Sequence, residues 1–99
     1  MKRDLARGMN HHYKPVYEAI RAKLVLETER RGERLVEEWI LSERECVLRE
    51  VNHQRRLLAY DPVGIAVVER AERTACGHSD YVSKYAHAAA DLVFRKEVA

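Results

Sequence analysis

The chain has 99 residues, with 18 basic and 16 acidic side chains, five histidines, two cysteines and a formal net charge of +2. That length fits one small domain with a thin core, and so even a charge balance does not by itself mark a nucleic-acid-binding surface. No apolar run reaches the roughly 18 residues a membrane span requires. Cys46 and Cys76 lack the C-x-x-C spacing of a redox or zinc motif and read as reduced, buried thiols.

Residues 1–14 read as a flexible basic N-terminal arm, with Lys2, Arg3, Arg7, His11, His12 and Lys14 against the single acid Asp4. Nothing in it is periodic, so mobility is expected. It lacks the apolar stretch of a signal peptide, which points to a cytoplasmic location, bacterial or, for a viral gene, that of the host. Pro15 suits the first turn of a helix, where its missing N–H would have no partner anyway. Residues 15–99 then form a single helical domain.

From Val16 to Tyr60 there is no proline and a single glycine, Gly32. Between Glu27 and Arg56 eight acidic and seven basic residues interleave. Apolar residues recur at Tyr17, Ile20, Leu24, Leu35, Trp39, Ile40, Val47, Val51 and Leu58, at sums of three- and four-residue steps, which is a helical pattern. The pairs Glu27–Arg31 and Glu45–Arg49 are in the favourable i,i+4 order, and no Ser, Thr, Asp or Asn follows Gly32 to cap a new helix. The pattern therefore predicts one long charged helix, bent if anywhere near Gly32. Such a helix would be about 66 Å long at 1.5 Å per residue. A compact chain of this size spans only about 35 Å, so the long helix predicts self-association.

Asp61 reads as an N-cap with Pro62 at the first helical position, so a second helix folds back from there carrying Ile65, Val68 and Ala75 inward. Gly77 reads as the residue after its end, and Ser79 as the cap of a last helix. A heptad frame through 65, 68, 75, 82, 86, 89 and 93 would alternatively carry one helix through Gly77. The run Ala86-His87-Ala88-Ala89-Ala90 permits close approach of a neighbour. The fold class is all-α: a long helix, a hairpin return of one or two helices, and a helical bundle or coiled-coil-like core completed in a homodimer.

Candidate sites are few. Trp39, Cys46, His53 and Tyr60 are spaced by seven and share a stripe that serves as a packing seam or, in part, as a partner surface. Tyr81 and Tyr85, one turn apart, read the same way. Glu50-x-x-His53 is the pair that di-iron bundles use, but one match is what this composition gives by chance, and Arg49, Arg55 and Arg56 crowd it with positive charge. Cys76-x-His78 with Cys46 and His53 is a looser zinc set. His11-His12-Tyr13-Lys14, with Lys2, Arg3 and Arg7, could contact phosphates with one stacking aromatic. Ser79-Asp80-x-x-Ser83-Lys84 lacks the surroundings of a Ser–Lys nucleophile, and Ser79 is better explained as a cap.

The function expected is a non-enzymatic interaction protein of accessory, adaptor or inhibitor type, such as bacteria and phages encode. It would dock a helical face onto a protein partner through Trp39, Tyr60, Tyr81 and Tyr85. No cofactor is expected. One alternative is a nucleic-acid binder using Lys2, Arg3, Arg7, His12 and Lys14. Another is a metal-binding bundle using Glu50 and His53.

Overall fold

The computed structural model describes residues 10–98, in which the helical periodicity resolves into four helices: α1 (Asn10–Glu29), α2 (Val36–Leu57), α3 (Ile65–Ala75) and α4 (Tyr81–Phe94). A short 3-10 turn, Arg31–Glu33, joins the first two. There is no strand among the described residues. The class read from the pattern, all-α, is the one observed.

The helix expected from Val16 to Tyr60 is not continuous. Arg34 and Leu35 adopt extended backbone, and α2 returns antiparallel along α1. The pairings fix this direction, since Glu27 meets Ser42 and Arg34, and Lys23 meets Glu50. Gly32 does not cause the break through any special conformation. It lacks a positive φ, and a Cβ placed there would meet nothing within 4 Å. Tertiary packing sets the turn: Ile20 and Leu24 of α1 face Val47 and Val51 of α2 in one core, which a straight helix could not bring together. Glu38 helps to start α2 by accepting the Leu35 N–H at 3.3 Å.

At the far end of α2, Ala59 takes a left-handed φ of 61°. Tyr60 N–H reaches Arg55 O at 2.9 Å and Ala59 N–H reaches Arg56 O at 3.0 Å, which is a Schellman closure. The helix expected to start at Pro62 begins at Ile65 instead, with Gly64 rather than Asp61 at its N-cap. Asn52 explains the delay. Its amide donates to Val63 O at 3.0 Å and accepts from Val63 N at 2.8 Å, so the 61–64 link lies clamped along α2. Gly77 has a φ of 88° just past α3, as its expected role requires, and separates α3 from α4. The N-cap of α4 is Asp80, one residue beyond the expected Ser79.

Helix α1 starts five residues before Pro15, so residues 10–14, expected to belong to the arm, are helical. Tyr13 is buried there. Its ring lies against those of Tyr17, His87 and Phe94 at 6.0–6.5 Å, and its hydroxyl is 2.9 Å from His87 Nδ1. Residues 1–9 of the arm lie outside the described residues.

Helices α1 and α3 each pack on both α2 and α4. Contacts between α1 and α4 run antiparallel, from Tyr13 with Phe94 to Arg31 with Tyr81. The result is an up-down-up-down four-helix arrangement, about 42 Å along its longest axis. Val47, Val51, Val68, Tyr85, Ala89 and Val93 are fully enclosed within it. The radius of gyration, 13.3 Å, is that of a compact chain of this length. One chain thus supplies four helices and its own core. The physical reason for expecting a bundle completed by dimerisation, a helix too long for the globule, does not arise.

Candidate functional site: the open end of the bundle

One end of the molecule gathers the end of α1, the 3-10 turn, the start of α2 and the α3–α4 turn. The other gathers the start of α1, the end of α2, the 61–64 link and the end of α4. The first end is open. The inward stripe of α2 runs Val36, Trp39, Ile40, Glu43, Cys46, Val47, Glu50, Val51 by three- and four-residue steps, with Leu35 preceding it as the extended N-cap. Glu43 to Val51 are buried on that stripe, Trp39 and Ile40 are half-buried, and Leu35 and Val36 are 69% and 57% exposed. The core stripe thus overshoots the core by about one turn. Leu26, in the last turns of α1, adds a third large apolar side chain, 63% exposed.

The same end carries a notch of about 280 Å³, lined by Arg31, Trp39, Ile40, Glu72, Cys76, Gly77 and Tyr81. Its floor is ionic. Glu43 is only 1% exposed and receives Arg31 through Nε at 2.6 Å and Nη2 at 2.9 Å. Arg31 also lies 4.0 Å from the centre of the Trp39 ring and 5.4 Å from that of Tyr81. This is the arrangement in which a guanidinium gains both a forked ion pair and cation–π attraction. Arg44 makes the second floor pair, to Glu72 at 2.6 Å and Glu69 at 3.0 Å. The Glu43 bond raises the Arg31 pKa and the Glu72 bond that of Arg44, so both stay charged.

The phenols respond in the opposite sense. Burial, then the carboxylates Glu43 and Glu72, pushes Tyr81 far above the usual phenol range. Burial, with Glu72 next, does the same to Tyr85. Tyr85 is fully enclosed, and its hydroxyl has no hydrogen-bond partner among the described residues.

The four residues expected to meet a partner are therefore dispersed. Trp39 and Tyr81 come together around Arg31. Tyr60 lies at the opposite end of α2, its ring 5.5 Å from the Arg55 guanidinium. Tyr85 belongs to the interior and cannot touch a partner. The heptad stripe dissolves too: Cys46 is buried with its thiol pKa raised by burial, and His53 is exposed. Cys76, expected buried, is exposed at the notch.

Glu50 and His53 do not act as a pair. Glu50 is turned inward, bound by Gln54 at 2.8 Å and 3.9 Å from Lys23, while His53 stays in solvent. Among the described residues no three His, Cys, Asp or Glu side chains converge as a metal site would need. Lys2, Arg3 and Arg7 lie outside the described residues. His12 is exposed, and Lys14 is exposed with Glu18 at 3.8 Å. Ser83 accepts a long hydrogen bond from Arg21, 3.4 Å. No helix among the described residues is long and apolar enough to cross a membrane.

Sequence reasoning missed Arg31, Glu43, Leu35 and Val36. The one signal was the adjacent apolar pair Leu35-Val36 directly after the glycine-containing charged run 30–34, and nothing in the spacing joined Arg31 to Glu43. Comparison with protein-family models, curated proteins and solved structures finds no match.

Proposed function

We propose that this protein is a non-enzymatic helical interaction module that docks a protein partner across the open end of its bundle. The observation that carries this reading is the overshoot of the α2 stripe. Val36, the first residue of α2, and Leu35, its N-cap, leave large apolar side chains in solvent at the end that also carries Leu26 and a notch walled by Trp39 and Tyr81. Contiguous apolar surface rimmed by charge is what docking sites expose, and aromatic and arginine side chains at its centre are the usual anchors. Glu29, Glu33, Glu37 and Glu38, with Arg30 paired to Glu33 at 3.6 Å, supply the exposed rim.

The rigid floor supports the same reading. Arg31 with Glu43, and Arg44 with Glu69 and Glu72, already have their charge partners, so a partner side chain would enter a notch whose ionic groups are satisfied. That lowers the ordering cost of binding.

The test compares capture of partners from cell extract by the wild-type chain and by a Leu35→Asp/Val36→Asp variant. A partner held by the first and lost by the second, at unchanged helical circular dichroism, is the expected outcome. Equal capture by both would remove the open end from the binding surface.

A further inference from the structure

The exposed leucines do not all lie at the open end. Leu57, 68% exposed, and Leu58, 41% exposed, close the opposite end of α2, beside Ala59 and the half-buried Tyr60. The two apolar patches are separated by the whole of α2, roughly 33 Å for 22 helical residues. Between them the inner face of the helix is covered and Leu41 is 49% exposed, while the four most exposed large apolar side chains, Leu26, Leu35, Val36 and Leu57 at 57–69%, stand toward the two ends.

Charge divides along the same axis. Residues 27–45, around the open end, contain seven glutamates and four arginines. Segments 55–61 and 92–97 make up the other pole, with four cations (Arg55, Arg56, Arg95, Lys96) and two acids (Asp61, Glu97). These two segments are neighbours, because the buried Arg55 donates to Asp61 O, Leu92 O, Arg95 O and Lys96 O at 2.6–2.9 Å. Arg56, Arg95 and Lys96 are exposed at the end that carries Leu57, and Glu29, Glu37 and Glu38 are exposed at the end that carries Leu35 and Val36. One pole is apolar with an acidic rim, the other apolar with a basic rim.

We infer that the open end of one molecule docks on the basic pole of a second copy, Leu35 and Val36 against Leu57 and Leu58, with glutamates facing Arg56, Arg95 and Lys96. This rests on the docking role given above to the open end and names its occupant. The contact is head-to-tail, joining two different patches, so each joined pair keeps one free patch of each kind and accepts further copies. Opposite-signed rims orient the encounter and disfavour the alternatives, open end to open end and basic pole to basic pole.

Sedimentation velocity of the full chain over a concentration series provides the test. The expected mass grows past the dimer without a stop, and growth weakens as salt shortens the Debye length from about 10 Å at 0.1 M to about 3 Å at 1 M. Two blocked variants then decide the geometry: Leu35→Glu/Val36→Glu removes the open end, and Leu57→Lys removes the basic pole. Each alone is expected to stay monomeric, whereas their mixture forms a complex of one copy of each and nothing larger. The mixture also serves as the folding control, since each variant must contribute its intact pole.

A wild-type chain that remains monomeric at every concentration overturns the inference. So does a mass that stops at the dimer, or a mixture that fails to assemble although both variants keep wild-type helicity. A basic pole that binds polyanions with no gain in protein mass overturns it in favour of a nucleic-acid partner. If the chain is monomeric yet the aspartate variant of the open end still loses a captured protein, only the self-docking fails. Undiminished capture by that variant removes the open end itself.

Discussion

Arg55 is the most demanding single residue. Its guanidinium is 1% exposed and makes four hydrogen bonds to backbone carbonyls, three of them at the end of α4. Among the described residues no carboxylate accepts from it, so the partial negative charge of the α4 terminus and those carbonyls stabilise the buried cation. Lysine cannot reproduce this, because its donors radiate from one point whereas the arginine fork spreads them. Arg55→Lys should therefore cost about 2 kcal/mol or more, read as a lower urea midpoint at unchanged slope. Tyr85 makes the opposite case. Its enclosed hydroxyl lacks a partner among the described residues, so Tyr85→Phe removes a polar group whose burial is uncompensated. The variant should be neutral or more stable by about 1 kcal/mol near pH 7, and a loss of that size would reveal a partner for the hydroxyl. The phenols also set an alkaline limit. Both Tyr81 and Tyr85 have folded pKa values raised above the ordinary value, about 10 in unfolded chains, so the folded state holds protons that the unfolded state releases. Stability is full below about pH 10 and falls as pH rises beyond it. A urea midpoint followed from pH 8 to 11 should fall only above 10, and less steeply in Tyr85→Phe.

Among the elements, helix identity was legible in the sequence and most helix ends were not. The three-four spacing of Ile20, Leu24, Val47 and Val51 marks helix, and Gly77 ends α3 where a left-handed residue is needed. The turn at residues 30–35 was hidden because its charges mimic a continuous surface helix. Glu27 and Arg31 stand in i,i+4 order, yet Glu27 bonds Ser42 and Arg34 while Arg31 crosses to Glu43. Sequence spacing shows that two charges could meet along one helix, not that each has a better partner across a turn. For the same reason Tyr81 and Trp39 could be singled out as large aromatics, but not joined around an arginine. The closure of α2 likewise escaped notice, because alanine fills the left-handed position that glycine usually marks. Ala59→Gly should relieve that strain and stabilise the fold by about 0.5–1 kcal/mol, a rise of a few degrees in the melting temperature. Gly32→Ala should change stability by less than about 0.5 kcal/mol and leave helical content unaltered, since its backbone needs no glycine and a Cβ there meets nothing.

For the whole molecule, the question is whether the helices need a second chain to be stable. A long projecting helix would leave an apolar stripe to be covered by a partner, and folding would then depend on protein concentration. The observed turn at residues 30–35 changes this, because α2 covers α1 within the same chain and Leu24, Val47, Val51, Val68 and Val93 close a common interior. Association at the poles adds contacts between finished bundles and does not complete one. The two cases separate in thermal unfolding of the Leu35→Glu/Val36→Glu variant, in which polar docking is blocked and the interior is untouched. Its melting temperature should be the same at high concentration and after hundredfold dilution (a factor worth about 2.7 kcal/mol of apparent stability where folding requires association). A midpoint that drops on dilution would mean that the core extends across a chain boundary, and that the four helices of one chain are not enough.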